Sequence, residues 1–449
     1  MSAYDLITRN GLLVTEDGER QADIAVSAGE IAAVEPELAG GATAELDAAG
    51  LHILPGVMDA HLHFNEPGRA EWEGIATGSR AVAAGGGTCY FDMPLNAHPP
   101  TIDANAFDAK LAAARAASLV DFGLWGGIVP GNRDRLDELA ERGVVGYKAF
   151  MANSGIEDFA ASDDLTLYEG MERAARLGRI VAVHAENDAL VSGLAQRARA
   201  EGRTGVRDFL SSRPVVAELE AIARAILFAQ ETGCPLHIVH VSTGRGVALV
   251  AAARARGVNV TCETCPHYLV FTEADVEELG AIAKCAPPLR PESDQAELWE
   301  RMMGGDVAFV ASDHSPAPAS MKSGEDFFAI WGGISGCQTL LRSLLTAGWA
   351  ERGLPLDRIA ALTSANIARR FDIPKKGRIA VGYDADLALV DLRASDVLQQ
   401  SDLLYRHQHS PFVGRRLRGR ITATILRGRT VYADGRVVAE PMGALVRPR

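Results

Sequence analysis

His61 and His63 stand two residues apart in Val57-Met58-Asp59-Ala60-His61-Leu62-His63, where a short apolar run gives way to polar loop sequence. On an extended backbone, residues at i and i+2 project from one face, so both imidazoles can reach a single metal ion. An isolated H-x-H reads equally well as two satisfied core histidines. What separates the readings is whether the rest of the chain supplies matching groups at matching places, and it does. Lys148 sits inside the apolar run Val144–Phe150, His184 closes Val181-Ala182-Val183, His240 closes His237-Ile238-Val239, and Asp313 follows Phe309-Val310-Ala311-Ser312. Buried ionisable groups are rare unless paired or bound to metal. A lysine facing an apolar interior loses favour as an ammonium. The neutral amine can add carbon dioxide, giving a carbamate (N6-carboxylysine) able to bridge two cations. Two divalent ions held by His61, His63, Lys148, His184, His240 and Asp313 would bring water to hydroxide near neutral pH and polarise a carbonyl. Asp313 can hold one ion, accept the proton of the attacking hydroxide and pass it to a leaving nitrogen.

These groups need elements that bring them together. Apolar runs at 53–63, 87–93, 121–129, 144–150, 180–185, 235–241, 258–265 and 307–312 read as buried strands. Between most of them lie stretches with apolar residues at helical spacing: 72–84, 104–117, 133–141, 165–177, 216–232 and 246–256. Eight strand-then-helix units predict an α/β fold, a (β/α)8 TIM barrel whose strand ends converge on one mouth. An open doubly wound sheet is the fallback, but it would place a Gly-rich phosphate loop after the first strand, where this chain has His-Leu-His-Phe-Asn. Both ends of the chain alternate short β-like runs with turns. This pattern predicts a small β-sandwich domain from residues 1–53 plus 375–449, flanking a barrel over 54–374.

Composition removes several function classes. A net charge of −13 disfavours nucleic acid and anionic membrane surfaces. No apolar run approaches the ~20 residues of a membrane helix. The first residues lack the basic and apolar regions of a signal peptide. Six cysteines (Cys89, Cys234, Cys262, Cys265, Cys285 and Cys337) are too sparse for a disulfide framework and are expected as reduced thiols in the cytoplasm. Cys262-x-x-Cys265 lacks a second pair and reads as structural. His267 and His314 read as anchors near the mouth. His237, three before His240, should face the other way on a strand.

The set His61-x-His63, Lys148, His184, His240 and Asp313 resembles the binuclear cyclic amidohydrolases, a family of dihydroorotases, hydantoinases/dihydropyrimidinases and allantoinases. Asn65–Arg69 with Trp72-Glu73-Gly74, Met93–Asn96, Cys265–Tyr268 and Lys284–Arg290 look most like the allantoinase branch. So does Ser312–Pro316 running on to Met321-Lys322 and Trp331–Gly336. The resemblance implies a binuclear centre on those six residues, with Lys148 carboxylated and zinc as the first expectation (cobalt, manganese or iron as alternatives). It implies a homotetramer, and opening of allantoin, a small-molecule substrate, to allantoate in purine breakdown. Dihydroorotases carry an arginine two residues past the second histidine, to bind the substrate carboxylate; here that residue is Asn65. Hydantoinases carry a tyrosine five residues past the lysine; here it is Asn153, which suits a hydrogen-bonding ureido group. Asn96, Asn153, Cys285 and Ser335 are the candidate substrate contacts, the last two through backbone groups. A hydantoinase of broad tolerance and a non-catalytic scaffold relative are the competing readings.

Overall fold

The computed structural model describes residues 4–449. Near the N-terminus, alternating apolar positions fold as antiparallel strands Tyr4–Thr15, Gly18–Ser27 and Glu30–Glu35. Ala42–Asp47 lies parallel to the first of them. Near the C-terminus, Leu387–Val397, Arg416–Leu426, Arg429–Ala433 and Arg436–Val437 form an antiparallel run. His52–Pro55 joins the two sets: it pairs with Leu12 and Leu13 on one side and with Leu387 to Val390 on the other. The nine-stranded sheet that results is built from both ends of the chain. Its core gathers Leu13, Ile24, Val26, Ile53, Leu387, Leu389 and Ile425. This is the sandwich expected from the sequence.

The first predicted barrel strand is two strands. His52–Pro55 belongs to the sandwich and Val57–Leu62 to the barrel, with Gly56 between them. A side chain at Gly56 would overlap that of Thr88, so glycine makes room for the Thr88 side chain at the junction.

From Val57–Leu62 the barrel continues through Gly87–Asp92, Asp121–Leu124 with Gly126–Gly127, Tyr147–Phe150, Val181–His184, Leu236–Ile238, Val260–Thr264 and Phe309–Val310. All pairings are parallel, and a bridge from Leu62 to His314 closes the ring. Met58, Ala60, Phe91, Trp125, Val145, Ala182, Val239 and Phe309 fill the interior, with Ile367 and Phe371 packed against them.

Helices cover the outside through one apolar stripe each. Ala104–Ala117 begins where Asp103 Oδ1 accepts from Ala106 N at 2.9 Å, and it buries Phe107, Leu111 and Ala114. Asp164–Arg176 is capped the same way by Asp163 and buries Leu167, Met171 and Ala174. Helices Asp188–Ala200 and Glu292–Gly304 had no counterpart in the sequence reading. All six cysteines are buried free thiols. No helix among the described residues is long and apolar enough to cross a membrane.

Candidate active site

Three backbone devices bring the polar residues to the mouth. On the fourth and fifth strands the pleat itself suffices: Tyr147 and Ala149 belong to the outer core, Val181 and Val183 likewise, and Lys148 and His184 alternate with them. On the first strand the pairing register shifts between Asp59 and Leu62. Met58 and Ala60 fill the interior, Leu62 packs outside, and His61 and His63 take over the inward positions. On the sixth and eighth strands the backbone leaves the extended region, with φ +39° at His240 and +46° at Asp313. For His240 this overturns the expected opposition to His237. The His237 ring stacks on interior Phe309 at 4.6 Å, with Nε2 3.1 Å from Glu263 Oε2. The His240 ring lies 5.5 Å from that of His61, which Glu263 also holds.

Asp313 Oδ1 sits 3.3 Å from His61 Nε2 and 3.4 Å from His63 Nε2. His184 Nδ1 lies 3.1 Å from His240 Nε2, and the rings of His61 and His240 are 5.5 Å apart, linking the two pairs. Lys148 Nζ is fully buried without a hydrogen-bond partner, 5.0 Å from the centre of the Phe150 ring. Burial lowers the pKa of His63, His184 and His240, so these imidazoles are neutral at pH 7. Burial also brings Lys148 down to about 8, against the pull of Asp313 and Glu263. At Asp313 burial works toward the protonated form, but the charge that His61 and His240 carry when protonated in acid, together with a hydrogen bond from His63, outweighs it and holds the carboxylate well below its usual range.

The sequence reading missed the carboxylates behind these groups. Glu263 Oε1 lies 2.5 Å from His61 Nδ1, and Glu186 Oε2 lies 2.9 Å from His184 Nε2. Despite burial, His61 and His237 bring Glu263 down to about 2, and Arg213 and His184 do the same for Glu186. An ionised carboxylate takes the ring N–H, which fixes the tautomer. His61 Nε2 then turns a lone pair toward the Asp313 carboxylate, and His184 Nδ1 turns one toward His240. A bare His61 Nε2 facing the Asp313 carboxylate at 3.3 Å, with a partnerless amine nearby, fits a site built for divalent cations. Nitrogen and oxygen donors of this kind suit zinc and its neighbours.

Above the cluster opens a cavity of about 460 Å³, lined among others by Asn96, Asn153, Arg213, Cys285 and Trp331. Asn96, with φ +68°, lies 3.5 Å from Ser315 Oγ through its Nδ2. Asn153 Oδ1 accepts from Gly155 N at 2.9 Å, and its own N–H donates to Asp188. Ser335 lies just beyond the lining, which stops at Gly333, and its carbonyl accepts from Ser410 Oγ at 2.6 Å. His314 is an anchor: its Nδ1 accepts from Gly336 N at 3.1 Å. His267 is buried against Tyr268, and burial brings it down to about 4.

A closed parallel barrel with histidines, a lysine and an aspartate gathered at its mouth defines a hydrolase with a cradle suited to divalent metal. The chain belongs to the amidohydrolase family, which matches residues 52–431. It is 63% identical to the allantoinase of Rubrobacter xylanophilus, covering 100% of this chain and 99% of that one. It is 54% identical to the allantoinase of Deinococcus radiodurans, covering 100% and 99%. Among solved structures it is similar to the L-hydantoinase (dihydropyrimidinase) of Arthrobacter aurescens, with TM-score 0.96 and 35% identity over 99% of this chain and 100% of the other. Its likeness to the dihydropyrimidinase of Brevibacillus agri has TM-score 0.92 and 31% identity over 98% of each chain.

Proposed function

We propose that this protein hydrolyses the cyclic amide of allantoin to allantoate. The observation that carries this reading is the full-length likeness to allantoinases at 63% identity, because the metal cradle alone would serve a hydantoinase as well. Asn65 supports it: its Nδ2 lies 3.5 Å from the Pro316 carbonyl, at a position where a ring carboxylate would call for arginine.

In this reading His61, His63, Lys148, His184, His240 and Asp313 hold two divalent ions, zinc first, with Lys148 as N6-carboxylysine. When bound, the ions lower the pKa of water and polarise the ring carbonyl. Asp313, ionised through neutral pH, takes the proton of the attacking water. As the ring C–N bond breaks, Asp313 delivers that proton to the departing nitrogen. Glu263 and Glu186 hold His61 and His184 in the tautomers that leave Nε2 and Nδ1 bare. Asn96 and the backbone groups of Cys285 orient the ring amide, and Asn153 meets the ureido substituent; Ser335, outside the lining with its carbonyl bonded to Ser410, drops out of the set. Residues 57–374 form the catalytic domain and 4–55 plus 375–449 the sandwich, the expected boundary at 53/54 moving to Gly56, in a cytoplasmic homotetramer.

The test is ring opening of allantoin against 5-substituted hydantoins, dihydrouracil and dihydroorotate on one metal-loaded preparation. Allantoate formed far faster than any other product is expected. The structural likeness to the L-hydantoinase favours the second reading, a hydantoinase. Faster turnover of a 5-substituted hydantoin would establish that reading and end this one.

A further inference from the structure

Lys284 and Lys322 are both satisfied by backbone carbonyls. Lys284 Nζ donates to the carbonyls of Phe327 at 2.6 Å, Phe328 at 3.3 Å and Ile330, and lies 4.6 Å from the centre of the Phe209 ring. Lys322 Nζ donates to Gly333 O at 2.5 Å, Trp331 O at 3.1 Å and Ala281 O at 3.3 Å. An ammonium has three N–H groups, and each lysine matches them with three carbonyls. All the acceptors except that of Ala281 belong to residues 327–333. This segment has neither helix nor strand to order it, and it lines the cavity through Phe328, Ile330 and Trp331. Its C-terminal end is pinned closely: Gly333 N donates to Lys284 O at 2.8 Å, and a side chain at Gly333 would overlap Ser315. Between that pin and the short helix Ala319–Lys322, backbone bonds from Phe327 N to Thr204 O and from Trp331 N to Met321 O, 2.9 Å each, fix two points, and the two ammonium groups gather the segment's carbonyls.

We propose that Lys284 and Lys322 are positioning residues, clamping residues 327–333 as one wall of the substrate cavity. They set affinity for the group carried by the ring and leave the ring-opening step unchanged. The inference takes only the identity of that group from the allantoin reading. Charge-assisted hydrogen bonds are the strong ones, so losing one lysine frees the wall while the cluster below keeps its own partners.

Trp331, on the clamped segment, packs edge-on against Trp72 with ring centres 4.8 Å apart. Such a pair gives a coupled ultraviolet circular-dichroism signal that reports docking without substrate or turnover. In the metal-loaded full chain, Lys322→Met and, separately, Lys284→Met are expected to weaken that signal. They should raise KM about tenfold, the scale of one lost charged contact, with kcat and metal content unchanged. Lys322→Arg, which keeps charge and donors, should restore KM. An unchanged signal and KM in both methionine variants overturns the proposal. So does a loss of kcat in step with lost metal, or failure of both variants to fold, since the lysines would then hold the barrel and not the wall. Wild-type protein inactive on allantoin would sink the substrate reading alone, because the tryptophan signal would still answer for the clamp, with KM taken on whichever ring is turned over.

Discussion

Two clusters at opposite ends of the barrel strands each bring three ligand-type side chains within reach of one another, and they resolve their charge in opposite ways. At the mouth these are His61, His63 and Asp313; at the base, Asp121, Asp384 and Asp386. The base cluster already contains its cation. Lys376 Nζ lies 2.6 Å from Asp121, 2.8 Å from Asp384 and 2.7 Å from Asp386, and Arg427 pairs with Asp121. Although burial disfavours the ammonium there, Asp386 and Asp121 raise the pKa of Lys376 well above its usual value. These residues tie the third barrel strand to the start of sandwich strand Leu387–Val397. At the mouth, among the described residues, no ammonium bonds the Asp313 carboxylate, and Lys148 Nζ has no hydrogen-bond partner. Burial pushes Lys148 toward neutrality, and the bare His61 Nε2 faces the Asp313 carboxylate. A buried cluster that carries its own counter-ion is a joint; one that leaves its acceptors opposed is a receptor for ions from outside.

The sharpest way to break this contrast is Asp313→Asn. The mouth account predicts a fall in kcat of about 10³–10⁴-fold, the upper range for a positioned proton carrier, with the denaturation midpoint unchanged. Lys376→Met should do the reverse. It leaves buried carboxylates unpaired, costing about 3–5 kcal/mol of stability in denaturant unfolding, while activity per folded molecule stays at the wild-type level. Glu263→Gln lies between, since it loosens the tautomer of His61. Isothermal titration should show metal affinity or turnover reduced about 10–100-fold. The smallest effect is one of pH. Lys148 titrates near 8 in the folded chain and higher when unfolded, so its reactive neutral form grows as pH rises through 8. At constant dissolved carbon dioxide, metal loading of the stripped protein should be about fifteenfold faster at pH 8 than at pH 6.5. Equal rates would remove the carbamate from the account.

The sequence disclosed most of this arrangement, for reasons that can be named residue by residue. Lys148 and His184 were legible because an ionisable residue inside an apolar run keeps the pleat's phase, and in the structure those two strands are regular. His61 and His63 were legible as a pair, but the register shift that turns them inward was not, because a bulge leaves no fixed residue signature. His237 was misjudged because the left-handed turn at His240 breaks the alternation the reading relied on. Glu263 carries a weaker form of the signal that exposed Lys148, a charge on the strand Val260–Thr264, whose threonines dilute the apolar run around it. Glu186 and Arg213, 27 residues apart, meet only through the fold. The split at Gly56 was signalled by Pro55-Gly56, two strand breakers, but the apolar residues on either side read as one run.

The central claim, that the mouth is an ion receptor serving allantoin hydrolysis, is tested most directly by metal titration. Protein stripped with a chelator would be titrated with zinc in bicarbonate while bound ions and allantoate formation are measured together. The account predicts activity near zero in the stripped protein, rising to a plateau at about two ions per chain. Undiminished allantoin turnover after stripping, or ions bound at that ratio with no allantoate formed, would contradict it.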